Sequence, residues 1–506
     1  MLPPLDATLR KTLETRIIAA RRESEKAARS ALDALAVRER EPYSSLGPED
    51  RKLRNQLRAR ARQLGEGSLE ASYGRLVAEC AYEQWHRMLF ARFLAENDLL
   101  MHPEGVPVTL ADCAELAGEE GDPDAWATAS RYAAGMLPGI FRNEDPVLRV
   151  RLFPEGRGAL ERILEEIPPP AFTSDDGLGW VYQFWQTEAK KEVNASERKI
   201  GGADLPAVTQ LFTEDYMVNF LLHNTLGAWW AARHPENPIN GTLEYLRWRS
   251  PDDGTPAAGD FPGWPQTVAE LRVLHPCCGS GHFLTAAADL LARMRAEEEG
   301  LDEAGAFEAV LRDNLFGLEL DARCTQLAAF ALALQAWKRG GYRELPNTNV
   351  ACSGLAVGGR VEEWTRLANG DARLEETLRR LHALFRNAPD LGSLMDPSRV
   401  TGASELLGAD FEEAENLLEK ALVREKMQDD PTAAVFGEVA RGLVRAAALL
   451  KGRYHLVATN VPYLIRRNQG KTLQEFVDKY YTAGRADLAT AFVQRCASYC
   501  MQWLRP

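Results

Sequence analysis

The segment Leu271-Arg272-Val273-Leu274-His275-Pro276-Cys277-Cys278-Gly279-Ser280-Gly281 limits the possible folds more than any other stretch of this chain. A short apolar strand runs into two glycines one residue apart, and from His282 onward HFLTAAADLLARMR has helical spacing. Glycine at 279 and 281 lets the backbone turn sharply and approach a ligand with no Cβ in the way. The helix that starts there offers free N–H groups and a partial positive charge. Further strand-like runs follow in DNLFGLELDARCTQLAAFALALQAWKR, NTNVACSGL and YHLVATNVPYL, the first leading into a helical pattern. Such alternation predicts an α/β fold with a parallel sheet covered on both faces.

The first part of the chain has a different texture. Residues 1 to about 195 read as a mainly helical domain, and 196–506 as the sheet-bearing core with a long, acidic helical insertion at roughly 360–450, for example ADFEEAENLLEKALVREK. Residues 1–65 carry 15 Lys and Arg against nine Asp and Glu, although the whole chain has a net charge of −13. A basic helical arm is either a solvated face or a contact for phosphates or a partner chain. His86 and Cys80, on an apolar helical stretch, read as core residues.

Within the core, Glu319 closes the strand-like run 40 residues after Gly279. In doubly wound sheets an acidic residue at the end of the second strand accepts hydrogen bonds from a ribose diol. The Gly-x-Gly-x-x-Gly fingerprint and spacing of nicotinamide or flavin sites are absent, and a glycine loop followed by Phe283 fits S-adenosylmethionine better. A third element, Asn460-Val461-Pro462-Tyr463, directly follows the last strand. An exocyclic amine conjugated to a base ring is a poor nucleophile. Two acceptors held against its two hydrogens draw the nitrogen towards tetrahedral geometry. The Asn460 side chain and the Val461 backbone carbonyl offer two such acceptors, Pro462 stiffens the turn, and Tyr463 offers a ring for stacking. A base inside a duplex cannot reach such a site, so base flipping is implied.

These motifs, in this order, resemble the gamma class of N6-adenine DNA methyltransferases. The resemblance is nearest to the large methyltransferases of the BREX and DISARM phage-defence systems, with ADLPAVTQLFT, LGWVYQFW and GRADLATAFVQRC among the matching segments. It implies a Rossmann-like core that binds S-adenosylmethionine and methylates adenine N6 in double-stranded DNA. The methionine end would lie against Phe212, Thr213, Pro276, Cys277, Gly279, Ser280 and Gly281. Glu319 would hold the ribose and Ser353 the cofactor adenine, while Asn460, Val461, Pro462 and Tyr463 would hold the target base.

The chain departs from the family pattern at three residues. His275 stands where the family usually has Asp, Val461 replaces the first proline of Asn-Pro-Pro-Tyr, and Ser353 lies where an Asp is common. Val461 still supplies the main-chain carbonyl. The resemblance also implies further strands and a target-recognition domain beyond Pro506, on a second polypeptide or past a truncation, and other defence-system subunits as partners. Two other readings stay open: methylation of cytosine N4 or a protein glutamine, and a non-catalytic subunit that binds DNA or a partner.

Composition adds the compartment. Eight cysteines over 506 residues, two adjacent, do not form a disulfide framework, which makes a reducing cytoplasm the expectation. No apolar run reaches the roughly 18 residues of a membrane span. Neither Cys277-Cys278 nor Cys496-x-x-x-Cys500 has a second pair at ligand spacing, so no metal is expected. His282 reads as a helix-start residue. The loop at 464–485 holds five Lys and Arg against two acidic residues, placing positive charge beside the Asn460 turn.

Overall fold

A computed structural model describes residues 5–501 apart from 65–68, 139, 141–144, 175, 203, 250–253, 260, 359, 369 and 401–430. The chain divides into two compact units: Met1–Glu192 with Gly354–Pro389 and Met395–Ala448, and Val193–Ser353 with Asp390–Leu394 and Leu449–Pro506. The acidic helix expected at 409–426 lies outside the described residues.

The first unit is helical. Helices α1 (Ala7–Ala34), α2 (Pro48–Gln63) and α3 (Leu69–Glu96) bury Ala28, Leu32, Leu57, Leu76 and Val77 in one cluster that also holds Cys80. His86 is buried with its ring stacked on Tyr82. Much of the basic arm works inside this unit. Arg54 donates to the carbonyls of Ala36 and Glu39, and Arg58 to those of Val37 and Glu39. These acceptors lie in the turn just past the end of α1. Arg16 pairs with Glu166 at 2.8 Å, Arg22 with Glu188 and Arg60 with Glu79, while the Arg10 guanidinium sits 4.7 Å from the Trp180 ring centroid.

The second unit carries the sheet. Strands β1 (Val273–His275), β2 (Leu315–Glu319), β3 (Asn349–Cys352) and β4 (Leu456–Val457) form one parallel sheet in the order β3-β2-β1-β4. All three β1 residues and the first four of β2 are buried, as strands covered on both faces must be. Helices α4 (His282–Glu299) and α5 (Ala322–Gly340) follow β1 and β2 and add Phe283, Leu284, Ala328 and Leu332 to the core. The chain moves outward from β1 to β2 and β3, then returns to β1's other side with β4. That reversal is the topological switch point at which open α/β sheets bind ligands, outside the carboxyl ends of their strands. This is the α/β, Rossmann-like arrangement expected from the motifs. No helix among the described residues is long and apolar enough to cross a membrane.

Candidate functional site

The three sequence motifs meet at the switch point because each follows the carboxyl end of β1, β2 or β4. The loop after β1 has φ of +53° at Gly279 and +90° at Gly281, backbone conformations that favour glycine. A Cβ at Gly281 would lie 2.8 Å from the Ala328 Cα, so that glycine also lets the loop seat on α5. Cys278 N–H donates to the Leu318 carbonyl at 2.9 Å, which carries the β1–β2 pairing into the loop.

Glu319 bridges the first two motifs. Its Oε2 accepts from Gly279 N–H at 2.8 Å, and its Oε1 accepts from the N–H groups of Leu320 and Asp321 at 2.8 and 3.2 Å. Each carboxylate oxygen has about two lone-pair sites, so Oε2 keeps capacity for another donor. Desolvation raises the Glu319 pKa to about 7, with nearby Asp321 adding to the shift and the three backbone donors opposing it. Half-buried Cys277 lies beside it, its thiol pKa pushed well up by desolvation and then by Glu319. Ser280 is buried.

The segment before the sheet reaches the last motif. Asn460 Nδ2 donates to Thr213 Oγ1 at 3.1 Å across 247 residues of sequence. The Phe212 ring lies 4.8 Å, centroid to centroid, from that of His282, and His282 Nε2 is 2.7 Å from Asp215 Oδ1. His282 is the first residue of α4.

The turn itself is open. Val461 and Pro462 are half-buried and Tyr463 is 60% exposed. The chain after it is pinned from two sides. Ile200 N–H donates to Asn468 O and Gly470 N–H to Ile200 O, while Arg466 N–H donates to Ala486 O and Leu488 N–H to Leu464 O. Of the basic loop, Arg466 pairs with Asp478 through two 2.6 Å contacts and Lys471 lies 3.7 Å from Glu475, whereas Arg467 and Arg485 are exposed.

Two residues of the sequence reading lie behind this surface. Ser353 is fully buried, its hydroxyl 3.1 Å from both the Glu319 carbonyl and Ser393 Oγ. Pro276 is buried, and its carbonyl accepts from Ser393 Oγ at 2.5 Å. His275 is also buried, edge-on to Phe283, and desolvation lowers its pKa to about 3, leaving it neutral.

Sequence reasoning missed Ser393. It lies within the segment read as an insertion, and no motif marks it. Behind it, buried Arg495 donates to the carbonyls of Ser393 at 3.1 Å and Leu450 at 2.7 Å. Arg495→Met removes those donors and is expected to cost about 3 kcal/mol, read as a lower urea midpoint at unchanged slope.

A glycine loop, a strand-end carboxylate and an Asn-Val-Pro-Tyr turn at adjacent strand ends define the class, a methyltransferase-like core. No protein-family model matches this chain. It is 26% identical over 490 residues to the adenine-specific methyltransferase PglX of Lacticaseibacillus casei, and 26% identical over 503 residues to the adenine-specific methyltransferase BrxX of Escherichia coli O9:H4. These matches cover 83% and 87% of this chain but 38% and 40% of the relatives, so the chain spans about two fifths of their length. The resemblance read from the motifs thus extends over most of the sequence. Among solved structures, a DrdV-DNA complex aligns with 98% of this chain and 35% of its own, at 13% identity and a TM-score of 0.40.

Proposed function

We propose that this chain binds S-adenosylmethionine and transfers its methyl group to N6 of adenine in double-stranded DNA, as part of a bacterial phage-defence system. The observation that carries this reading is the convergence of Gly279–Gly281, Glu319 and Asn460–Tyr463 at the carboxyl ends of β1, β2 and β4. The positive-φ loop and the spare acceptor capacity of Glu319 Oε2 suit a cofactor with a ribose diol and an extended methionine arm. When bound, S-adenosylmethionine supplies an electrophilic methyl group on a sulfonium.

The remaining work falls to the chain. Gly279, Gly281, Cys277, Phe212 and Thr213 shape the methionine end, and Glu319 accepts from the ribose hydroxyls. Asn460 Oδ1 and the Val461 carbonyl accept the two amine hydrogens, and exposed Tyr463 stacks on the flipped base. Alignment supplies most of the acceleration. Pro276, Ser280 and Ser353 act by holding the loop and strand ends in place. Arg467 and Arg485 contact phosphates beside the turn. Eight free cysteines fit action in the cytoplasm.

The test is product analysis. After incubation with duplex DNA and S-adenosylmethionine, nucleoside digests are expected to contain N6-methyladenine. N4-methylcytosine alone, or methylated glutamine in a protein partner, would replace this reading. Neutral, buried His275 in place of a loop carboxylate favours one other reading, a non-catalytic subunit. Calorimetric titration with S-adenosylmethionine separates the two, since absence of binding supports the subunit.

Glu319 also predicts a pH dependence. The ionised carboxylate is the better acceptor of two hydroxyls, and its pKa in the free chain is about 7. Cofactor affinity is expected to rise as pH increases through that value. Glu319→Gln should bind about 10-fold more weakly at pH 8 and show no such rise. A wild-type affinity that is flat from pH 6 to pH 8, measured by calorimetry, would remove Glu319 from the cofactor site.

A further inference from the structure

An asparagine amide has two unlike ends, an accepting oxygen and a donating NH2. A methyl acceptor amine must meet the oxygen. Rotation of the terminal amide by half a turn would present NH2 to NH2, two donors facing each other. Among its neighbours in sequence, Val461 and Pro462 offer no side-chain polar group, and the Thr459 hydroxyl lies against Cys277. The group that holds this side chain has to come from elsewhere in the fold.

We infer that the Thr213 hydroxyl is a positioning group for Asn460, holding its side chain in place for the substrate amine through the amide NH2. Asn460 Nδ2 donates to Thr213 Oγ1 at 3.1 Å. Asn460 Oδ1 takes no hydrogen bond among the described residues and remains the available end. Thr213 can hold the amide because the residues just before it, Phe212 and Gln210, are anchored to α4 and α5. Asp215 Oδ1 lies 2.7 Å from His282 Nε2, the Phe212 ring packs on the His282 ring, and Gln210 Oε1 accepts from Cys324 Sγ at 3.5 Å. His282 directly follows Gly281, so the group that holds the amide is tied to the helix that begins at the glycine loop. The sequence reading gave Thr213 to the methionine end of the cofactor. Its contact with Asn460 assigns it a second role, in orienting the acceptor amine.

This inference rests on the methyltransferase reading, and its test has one arm that does not. Thr213→Val keeps the side-chain shape and removes the acceptor. It is expected to lower kcat by about 10- to 100-fold, a larger factor than the change in cofactor Kd that follows from its place at the methionine end. Thr213→Ser retains the hydroxyl and should restore kcat to within about 3-fold of wild type. A Thr213→Val kcat within about 2-fold of wild type, or a defect confined to cofactor Kd, would overturn the inference.

The second arm is NMR of the full chain labelled with 15N at asparagine side chains. The Asn460 NH2 signal is identified by its loss in Asn460→Asp. In the wild type its protons should be shifted downfield and protected from exchange, and Thr213→Val should abolish both. An Asn460 signal unchanged by Thr213→Val would overturn the pairing. Absence of any methyl transfer by the wild type refutes the transferase reading, and the NMR arm still decides whether Thr213 holds the amide.

Discussion

A chain carrying Asn460→Ala is expected to bind S-adenosylmethionine as the wild type does and to transfer no measurable methyl group to DNA. Among the described residues the side chain hydrogen-bonds to Thr213 and not to the glycine loop or Glu319, so its removal leaves that loop, Glu319 and the sheet register in place. On the proposed mechanism it removes one of the two acceptors that meet the amine. Loss of a single preorganised group at a reacting centre typically costs about 100- to 1,000-fold in turnover, and here no general base is in view to compensate. Calorimetry of cofactor binding and radiolabel transfer to duplex DNA measure the two quantities separately. Retained transfer would show that the amine is oriented by other groups. A parallel loss of cofactor affinity would show that Asn460 belongs to the cofactor pocket instead. Asn460→Asp sharpens the contrast, since it keeps an acceptor while removing the NH2 that Thr213 holds. It should fall between wild type and alanine.

The parts of this site that were legible in the sequence are those set by local chain geometry. A strand of buried residues, a pair of glycines and a helix start fix the loop at 276–281 by themselves, and Glu319 ends its strand within a few residues of the backbone amides it accepts from. The parallel sheet also follows from alternating strand and helix signals, whereas the order β3-β2-β1-β4 does not. Pairings made across long stretches of chain left no such trace. Ser393 reaches the Pro276 carbonyl over 117 residues, and Ile200 pairs with the loop at 468–470, through backbone and hydroxyl groups that carry no sequence signature.

Charge was the most deceptive signal. The basic arm allowed a phosphate-binding reading, yet Arg54 and Arg58 are engaged with carbonyls, and Arg16, Arg22 and Arg60 with carboxylates of their own unit. A count of arginines does not distinguish a guanidinium that ties a turn in place from one that awaits a phosphate. Exposed Arg467 and Arg485, on the loop beside the Asn460 turn, are the better candidates for DNA contact.

Gly281→Ala is expected to be far more damaging than Gly279→Ala, although both glycines belong to one motif. Both have positive φ, which costs a residue with a Cβ about 1–2 kcal/mol. They differ in what surrounds them. The nearest atom to a Cβ at Gly279 is the Gln210 amide nitrogen at 4.0 Å, the end of a flexible side chain. At Gly281 it is the Ala328 Cα at 2.8 Å, with the Ala328 Cβ at 3.0 Å, and a backbone atom within α5 cannot swing aside. The loop must lift from α5, and His282, which begins the next helix, must lift with it. The loss should reach about 3 kcal/mol or more of stability. Cofactor affinity should fall at least about 100-fold, because the backbone amides that face the ligand are displaced together. Thermal melting and calorimetric titration of the two variants side by side test this. Equal, mild effects would mean that the loop can shift along α5 without cost, and the close approach of Gly281 to Ala328 would no longer explain why glycine stands there.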